Sequence, residues 1–208
     1  MKTLILVDLQ NDFMPGGALA VADGDRVVEV ANRLMPRFDL VIASQDWHPA
    51  DHLSFASQHP GRRIGDEIEL DGLAQVLWPD HAVAGTPGAE LHKGLHLGEI
   101  DRTVRKGTDR HIDSYSALWD NGHRRATGLG QLLADAGVTD VYVMGLATDY
   151  CVKFTALDCL AEGFNTHVIV DGCRGVDQRP GDVERALDEL VQAGVHLVSE
   201  AEVSQSES

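Results

Sequence analysis

A thiol at the start of a helix, a carboxylate and an ammonium group are together enough for acyl transfer, and this chain offers all three where short apolar runs end. Cys151 stands in GLATDYCVKFTALDCLAEG, which reads as a strand end, a sharp turn and a helix from near Asp149 to about Glu162. In the first turn of a helix, free backbone N–H groups and the helix dipole favour a thiolate, and a nearby lysine adds to the effect. The Cys151 thiol is therefore expected to ionise toward neutral pH. A thiolate nucleophile also needs a proton acceptor and donors for the oxyanion that develops on the attacked carbonyl. Asp8, after TLILV, suits the first task, and Lys106, closing RTVRK, holds the anions in register. The backbone N–H groups of Ala147 and Cys151 suit the oxyanion. The ordinary fate of a cysteine is a small buried core residue, which is the expectation for Cys159, two helical turns beyond Cys151, and for Cys173 in DGCRG. On these grounds the chemistry is acyl transfer or hydrolysis through a cysteine.

A second group of residues has the character of a metal site. In ASQDWHPADHLSF, Asp46 and His48 are two apart, so both point to one side of an extended chain, and His52 follows within reach; WPDHAV supplies His81. One carboxylate with two or three imidazoles suits a divalent transition metal such as zinc, iron or manganese, and an incomplete protein shell leaves positions for water or substrate. His59, His92, His96, His111, His123, His167 and His196 lack this context and read as solvated or hydrogen-bonded.

The elements that must position these groups are legible from periodicity. Apolar, β-branched runs at 3–7, 40–44, 102–106, 141–145, 167–170 and 196–199 alternate with helical spacing at 25–35, 127–136, 150–162 and 182–193. Gly137, Gly163 and Gly194 follow three of those helices as C′ residues. This rhythm predicts an α/β protein with a mostly parallel sheet. Ligands of such sheets bind outside the carboxyl ends of the strands, which selects Asp8, Asp46, Lys106, the LATDYC segment and Asp171. One connection, from Gln45 to Ile100, is long, irregular and rich in Gly, Pro, His and Trp, and such segments are usually functional. The polar tail SQSES is expected to fray.

Composition narrows the partners. The chain has 208 residues, 43% of them hydrophobic, and a formal net charge of −16, which fits one domain over 1–208 and repels nucleic acid and anionic membrane surfaces. The N-terminal apolar run stops at Asp8, too short for a signal sequence or a membrane span, so a cytoplasmic location is expected. Three cysteines cannot form a disulfide framework, which leaves thiol chemistry.

VDLQNDF with GGALAV, ASQDWHP, LWPDH, RKG, SYSA, MGLATDYCVK and DGCRGV occur in this order over nearly the whole chain. Together they resemble the nicotinamidases, also called pyrazinamidases, of the isochorismatase-like cysteine hydrolases. The resemblance implies a three-layer α/β/α fold whose six-stranded, mostly parallel sheet has the order 3-2-1-4-5-6, with a long metal-binding insertion at about 46–100 after strand 2. It implies a metal-containing cysteine amidohydrolase that converts nicotinamide to nicotinate and ammonia through a thioester, and that also accepts pyrazinamide. Asp8, Lys106 and Cys151 match the family's catalytic trio. Asp46, His48 and His81 match its metal ligands, with His52 as a further candidate, directly or through water; zinc is the expected ion, and iron and manganese are the alternatives. Phe13, Trp78, Tyr115 and Tyr150 are similar to residues that line the pocket for the flat ring. A cis peptide before Ala147 is also implied, while Gln10 and Asp12 take no assigned role. The partner is then a small aromatic amide, with neither nucleic acid nor membrane, and the oligomeric state is left open. Other readings are an amidohydrolase of carbamoyl or ureido compounds, which offer a metal no ring nitrogen, hydrolysis of a vinyl ether, which needs no thiol, and a catalytically silent metal-dependent binding protein, which would not need the trio.

Overall fold

The computed structural model describes residues 1–205. Its axis is β1 (Lys2–Val7), in which Leu4, Ile5, Leu6 and Val7 are wholly enclosed. A strand covered on both faces reads as a near-continuous apolar run instead of alternating, and LILV does so. Six parallel strands run in the order β5, β2, β1, β6, β7, β8, where β2 is Leu40–Asp46, β5 Arg102–Lys106, β6 Asp140–Leu146, β7 Asn165–Arg174 and β8 His196–Val198. Counted among these six alone, this is the expected order 3-2-1-4-5-6. Helix α1 (Asp25–Leu34) packs with α5 (Glu200–Gln205), and α3 (Lys153–Ala161) with α4 (Asp182–Ala193), giving the three-layer arrangement; α2 is Leu129–Asp135. Gly137, Gly163 and Gly194 all adopt the left-handed conformation expected after a helix end.

Three elements depart from the expectation. Within the long insertion, β3 (Glu67–Leu70) and β4 (Leu73–Val76) form an antiparallel hairpin closed by Asp71 and Gly72, both at positive φ. EIELDGLAQV carries the Asp-Gly turn signal for such a hairpin, although the segment reads as irregular when only longer periodicity is sought. At the C-terminus, Glu200–Gln205 is helical and includes Ser204 and Gln205 of the tail expected to fray; residues 206–208 of that tail lie outside the described residues. Its start is a capping box, in which Ser199 Oγ accepts from Glu202 N at 3.2 Å and Glu202 Oε2 accepts from Ser199 N at 2.7 Å. The helix expected from Asp149 is preceded by a wide π turn over Thr148–Val152, so that α3 proper starts at Lys153. Among the described residues no helix is long and apolar enough to cross a membrane.

The order of strands reverses direction between β1 and β6, which opens a crevice at their carboxyl ends. Asp8 leaves β1 there and the Cys151 turn leaves β6 there.

Candidate active site

Lys106 is the pivot of the site. The residue is 1% exposed, and its ammonium donates to Asp46 Oδ1 at 2.6 Å, to the Ser114 carbonyl at 2.9 Å and to Cys151 Sγ at 3.4 Å. These bonds engage all three of its protons. Asp8 Oδ2 forms an ion pair with the same nitrogen at 2.8 Å, while Oδ1 accepts from the Ser44 hydroxyl at 2.6 Å. Asp8 thus feels the lysine charge and places a carboxylate oxygen within 4.8 Å of the sulfur. Its backbone is left-handed, φ 51°, a conformation that costs an ordinary L-residue about 1–2 kcal/mol, and Ser44 Oγ accepts from its N–H at 3.2 Å.

Enclosure sets the protonation of these groups. Burial pushes the Asp8 carboxyl up, against the pull of Lys106. Burial also opposes ionisation of Asp46, but Lys106 and then His48 outweigh it and hold that carboxyl below the usual carboxylate range. Lys106 itself is held well above the ordinary lysine value, because Asp46 and Asp8 overcome the burial that would lower it. The expectation for Cys151 is overturned. Burial raises its thiol well above the ordinary value, Lys106 offsets only part of this, and Asp8 and Asp46 push it further up. A helix start and a lysine do not outweigh desolvation beside two carboxylates. Asp8 is the group placed to take the thiol proton.

The metal candidates are organised by backbone carbonyls. His48 Nδ1 donates to Gly107 O at 2.8 Å and His81 Nδ1 to Pro79 O at 2.7 Å, so in the neutral rings each Nε2 carries no proton, and these nitrogens lie 3.6 and 3.8 Å from Asp46 Oδ2. Gly107 has φ +63°, and a Cβ there would strike the His48 ring, so this contact requires glycine. Burial, then His48, pushes His81 down to about 4, which keeps its ring neutral. One carboxylate oxygen and two bare imidazole nitrogens, all within 4.8 Å of one another, fit a divalent transition ion. His52 is different. Its Nδ1 accepts from Ser54 N at 3.1 Å, so a neutral ring carries its proton on Nε2. His52 falls in a second group with His48 and Asp113 and not in that of Asp46, His48 and His81.

Cys151, Ala147, Asp46 and His81 face one narrow cavity. Phe13, Trp78, Tyr115 and Tyr150 form its aromatic walls, and Leu19, Val21, Leu146 and Val176 complete the apolar lining. Trp78 meets Tyr150 edge-on at 5.0 Å between ring centroids, and its Nε1 donates to Tyr115 Oη at 3.2 Å. The Leu146–Ala147 peptide is cis. All four ring-binding candidates therefore share the space lined by the sulfur, Asp46 and His81.

Comparisons with known proteins identify the family of the whole chain. A family model described as the isochorismatase domain matches residues 2–202. A nicotinamidase of Escherichia coli is 52% identical over 97% of this chain and 96% of its own length. The chain belongs to the isochorismatase family, on its nicotinamidase branch. A solved nicotinamidase and pyrazinamidase of Acinetobacter baumanii superposes with a TM-score of 0.94 at 45% identity, covering 97% of each chain. The pyrazinamidase of Pyrococcus horikoshii, solved in complex with zinc, superposes with a TM-score of 0.75 at 35% identity, covering 95% of this chain and 98% of that one.

Within this isochorismatase-family site, four of the five strand ends selected from sequence converge. Asp171 does not: β7 continues past it to Arg174, and Asp171 is exposed and accepts from Glu200 N at 2.7 Å, holding the start of α5. Cys159 and Cys173 are buried free thiols outside the cavity lining, the latter pushed up to about 12 by burial. Sequence reasoning missed Ser44, Gln75 and Asp113. Gln75, buried on β4, donates to Asp113 Oδ2 at 3.2 Å and to Tyr115 Oη at 3.4 Å, tying the hairpin to the aromatic wall. Such cross-chain polar contacts leave no periodic trace, although a polar Ser44 inside an apolar strand is itself a signal.

Proposed function

We propose that this chain hydrolyses nicotinamide to nicotinate and ammonia, and pyrazinamide likewise, through a thioester on Cys151. The observation that carries the reading is one cavity lined by the Cys151 thiol, by Asp46 and His81 of the metal candidates and by four aromatic side chains, with Asp8 close to the sulfur and His48 close to Asp46 and His81. The names of the relatives above support the substrate. The aromatic walls clasp the flat ring and set its carboxamide against Sγ. As sulfur attacks the amide carbon, its proton passes to Asp8 Oδ2, and the N–H groups of Ala147 and Cys151 receive the oxyanion. Asp8 returns the proton to the nitrogen, the C–N bond breaks, and ammonia leaves. Water then gives a proton to Asp8 while its oxygen attacks the thioester carbon; the C–S bond breaks and sulfur regains its proton. Throughout, Lys106 steadies the anions at Asp8 and Cys151.

Asp46, His48 and His81 would hold one divalent ion, zinc on the strength of the donor set and of the zinc-bound relative, with iron and manganese as alternatives. When bound, that ion supplies a Lewis-acidic contact for the ring nitrogen. His52 is then a support behind His48 and not a ligand. The span of the family match supports reading residues 1–208 as one domain with 46–100 as the metal-binding insertion, and three buried free thiols suit a reducing cytoplasm. Carbamoyl and ureido substrates would leave both the aromatic walls and the imidazole pair without a use. The deciding experiment measures ammonia release from nicotinamide by protein stripped with a chelator and reloaded with zinc. Release that depends on zinc is expected; none in either state would overturn the reading.

A further inference from the structure

Gln10 and Asp12, which belong to the VDLQNDF motif but touch no reacting group, bond to the backbone around the metal-ligating residues proposed above: Gln10 to Asp46 itself, and Asp12 to Ala82, which is joined to His81 and accepts from His48. The need arises where β1 ends. Asp8 turns away in the left-handed conformation, so the β1 backbone pairs with β2 only as far as Ala43, and the inward N–H and C=O of Asp46 lose their strand partner. Buried backbone groups must be paired. The Gln10 side chain takes the place of the missing strand: its Oε1 accepts from Asp46 N at 2.8 Å and its Nε2 donates to Asp46 O at 2.8 Å. The same Nε2 donates to Ala89 O at 2.8 Å, and Gln10 is wholly buried.

Asp12 acts on the other two ligands. Its Oδ2 accepts at 2.8 Å from the N–H of Ala82, the residue joined to His81, and the Ala82 carbonyl accepts from His48 N at 3.0 Å. The carboxylate lies so close to Gly88 that a methyl group there would overlap it. We infer that Gln10 and Asp12 form a two-armed brace that sets the spacing of Asp46 against His48 and His81, and so are positioning residues for the metal. The inference rests on the metal reading above and assigns these side chains no contact with substrate.

The test is the affinity of the protein for zinc alone, measured by competition with a chromophoric chelator, alongside thermal unfolding of the metal-free protein. Gln10→Glu keeps an acceptor for Asp46 N but loses both donated bonds; Asp12→Asn keeps the shape but loses the charge; Gly88→Ala changes no polar group and displaces the Asp12 carboxylate. Each is expected to weaken zinc by about ten- to a hundredfold, the range for residues that orient ligands, with most metal-free protein still folded at the assay temperature. KM for nicotinamide should rise more than kcat falls, since the ligands serve ring binding. Zinc affinity within twofold of the unaltered protein in two or more folded variants would overturn the brace alone. Failure of the unaltered protein to bind zinc would overturn the metal reading and the brace with it.

Discussion

Imidazoles are buried in two places in this molecule, and their surroundings differ. At the carboxyl ends of the strands, His48 and His81 each have one nitrogen fixed by a backbone carbonyl and the other turned to Asp46. On the flank of the sheet, the largely buried His167 is stacked between Tyr142, 4.3 Å away and 9° from parallel, and His196, 5.2 Å away, and neither of its nitrogens has a hydrogen-bond partner. An unpaired buried nitrogen is therefore not by itself a donor set. A carboxylate nearby is not enough either, since Asp140 Oδ1 lies 3.9 Å from His167 Nε2; what sets His48 and His81 apart is a tautomer fixed by a backbone carbonyl and one carboxylate shared by two rings. The cysteines repeat the contrast, since Cys151 meets an ammonium and a carboxylate while Cys159 is enclosed on its helix away from them.

The strongest way to break this contrast is at sulfur. Cys151→Ala should lower turnover of nicotinamide by about ten-thousandfold or more, as loss of a nucleophile does, with zinc binding retained, whereas Cys159→Ala should stay near the unaltered rate in the same ammonia assay. At the lysines, Lys106→Ala strands two carboxylates in the interior and should cost about 3–5 kcal/mol in urea unfolding. Lys153→Ala, which breaks an exposed pair with Glu189 at 2.9 Å, should cost about 1 kcal/mol or less. At the imidazoles, His48→Ala and His81→Ala should lose zinc in chelator competition while His167→Ala keeps it; equal loss in all three would erase the distinction drawn here.

The smallest effect is one of pH. Burial, followed by His196, lowers the His167 pKa below the ordinary 6.5, against the pull of Asp140. On acidification the unfolded chain takes up this proton first, so the stability contributed by neutral His167 is present above about pH 6.5 and lost as pH falls below it. The urea midpoint of metal-free His167→Phe should fall less steeply than that of the unaltered protein between neutral pH and pH 5. An unchanged slope would show that the flank imidazole is as free as one in solvent.

Most of the sheet was legible because parallel strands buried on both faces leave unbroken apolar runs, and the glycines after the helices mark their ends. The hairpin at Glu67–Val76 and the helix at Glu200–Gln205 escaped because each is short, and the signal lay in a turn pair and a capping box instead of in periodicity. In the site, the strand-end rule found Asp8, Asp46, Lys106 and Cys151 but misplaced Asp171, since a strand that runs on past a residue no longer presents it at its end. The charge state of Cys151 was misjudged for a deeper reason. Helix and lysine are visible in a sequence, but the degree of enclosure is set by segments far apart in it. The tautomers of His48 and His52 depend likewise on Gly107 O and Ser54 N, whose roles exist only once the chain has folded.

Lys106 and Gly107 are adjacent, so one dipeptide supplies the ammonium that steadies the anions and the carbonyl that orients a metal donor. Lys106 closes β5, an edge strand that is hydrogen-bonded to β2 alone. Peeling this border by a few residues would disable both halves of the centre in one event, while the interior strands stayed intact. Inactivation on warming and release of the ion should then coincide and precede global melting, and amide exchange along Arg102–Lys106 should report the margin of safety.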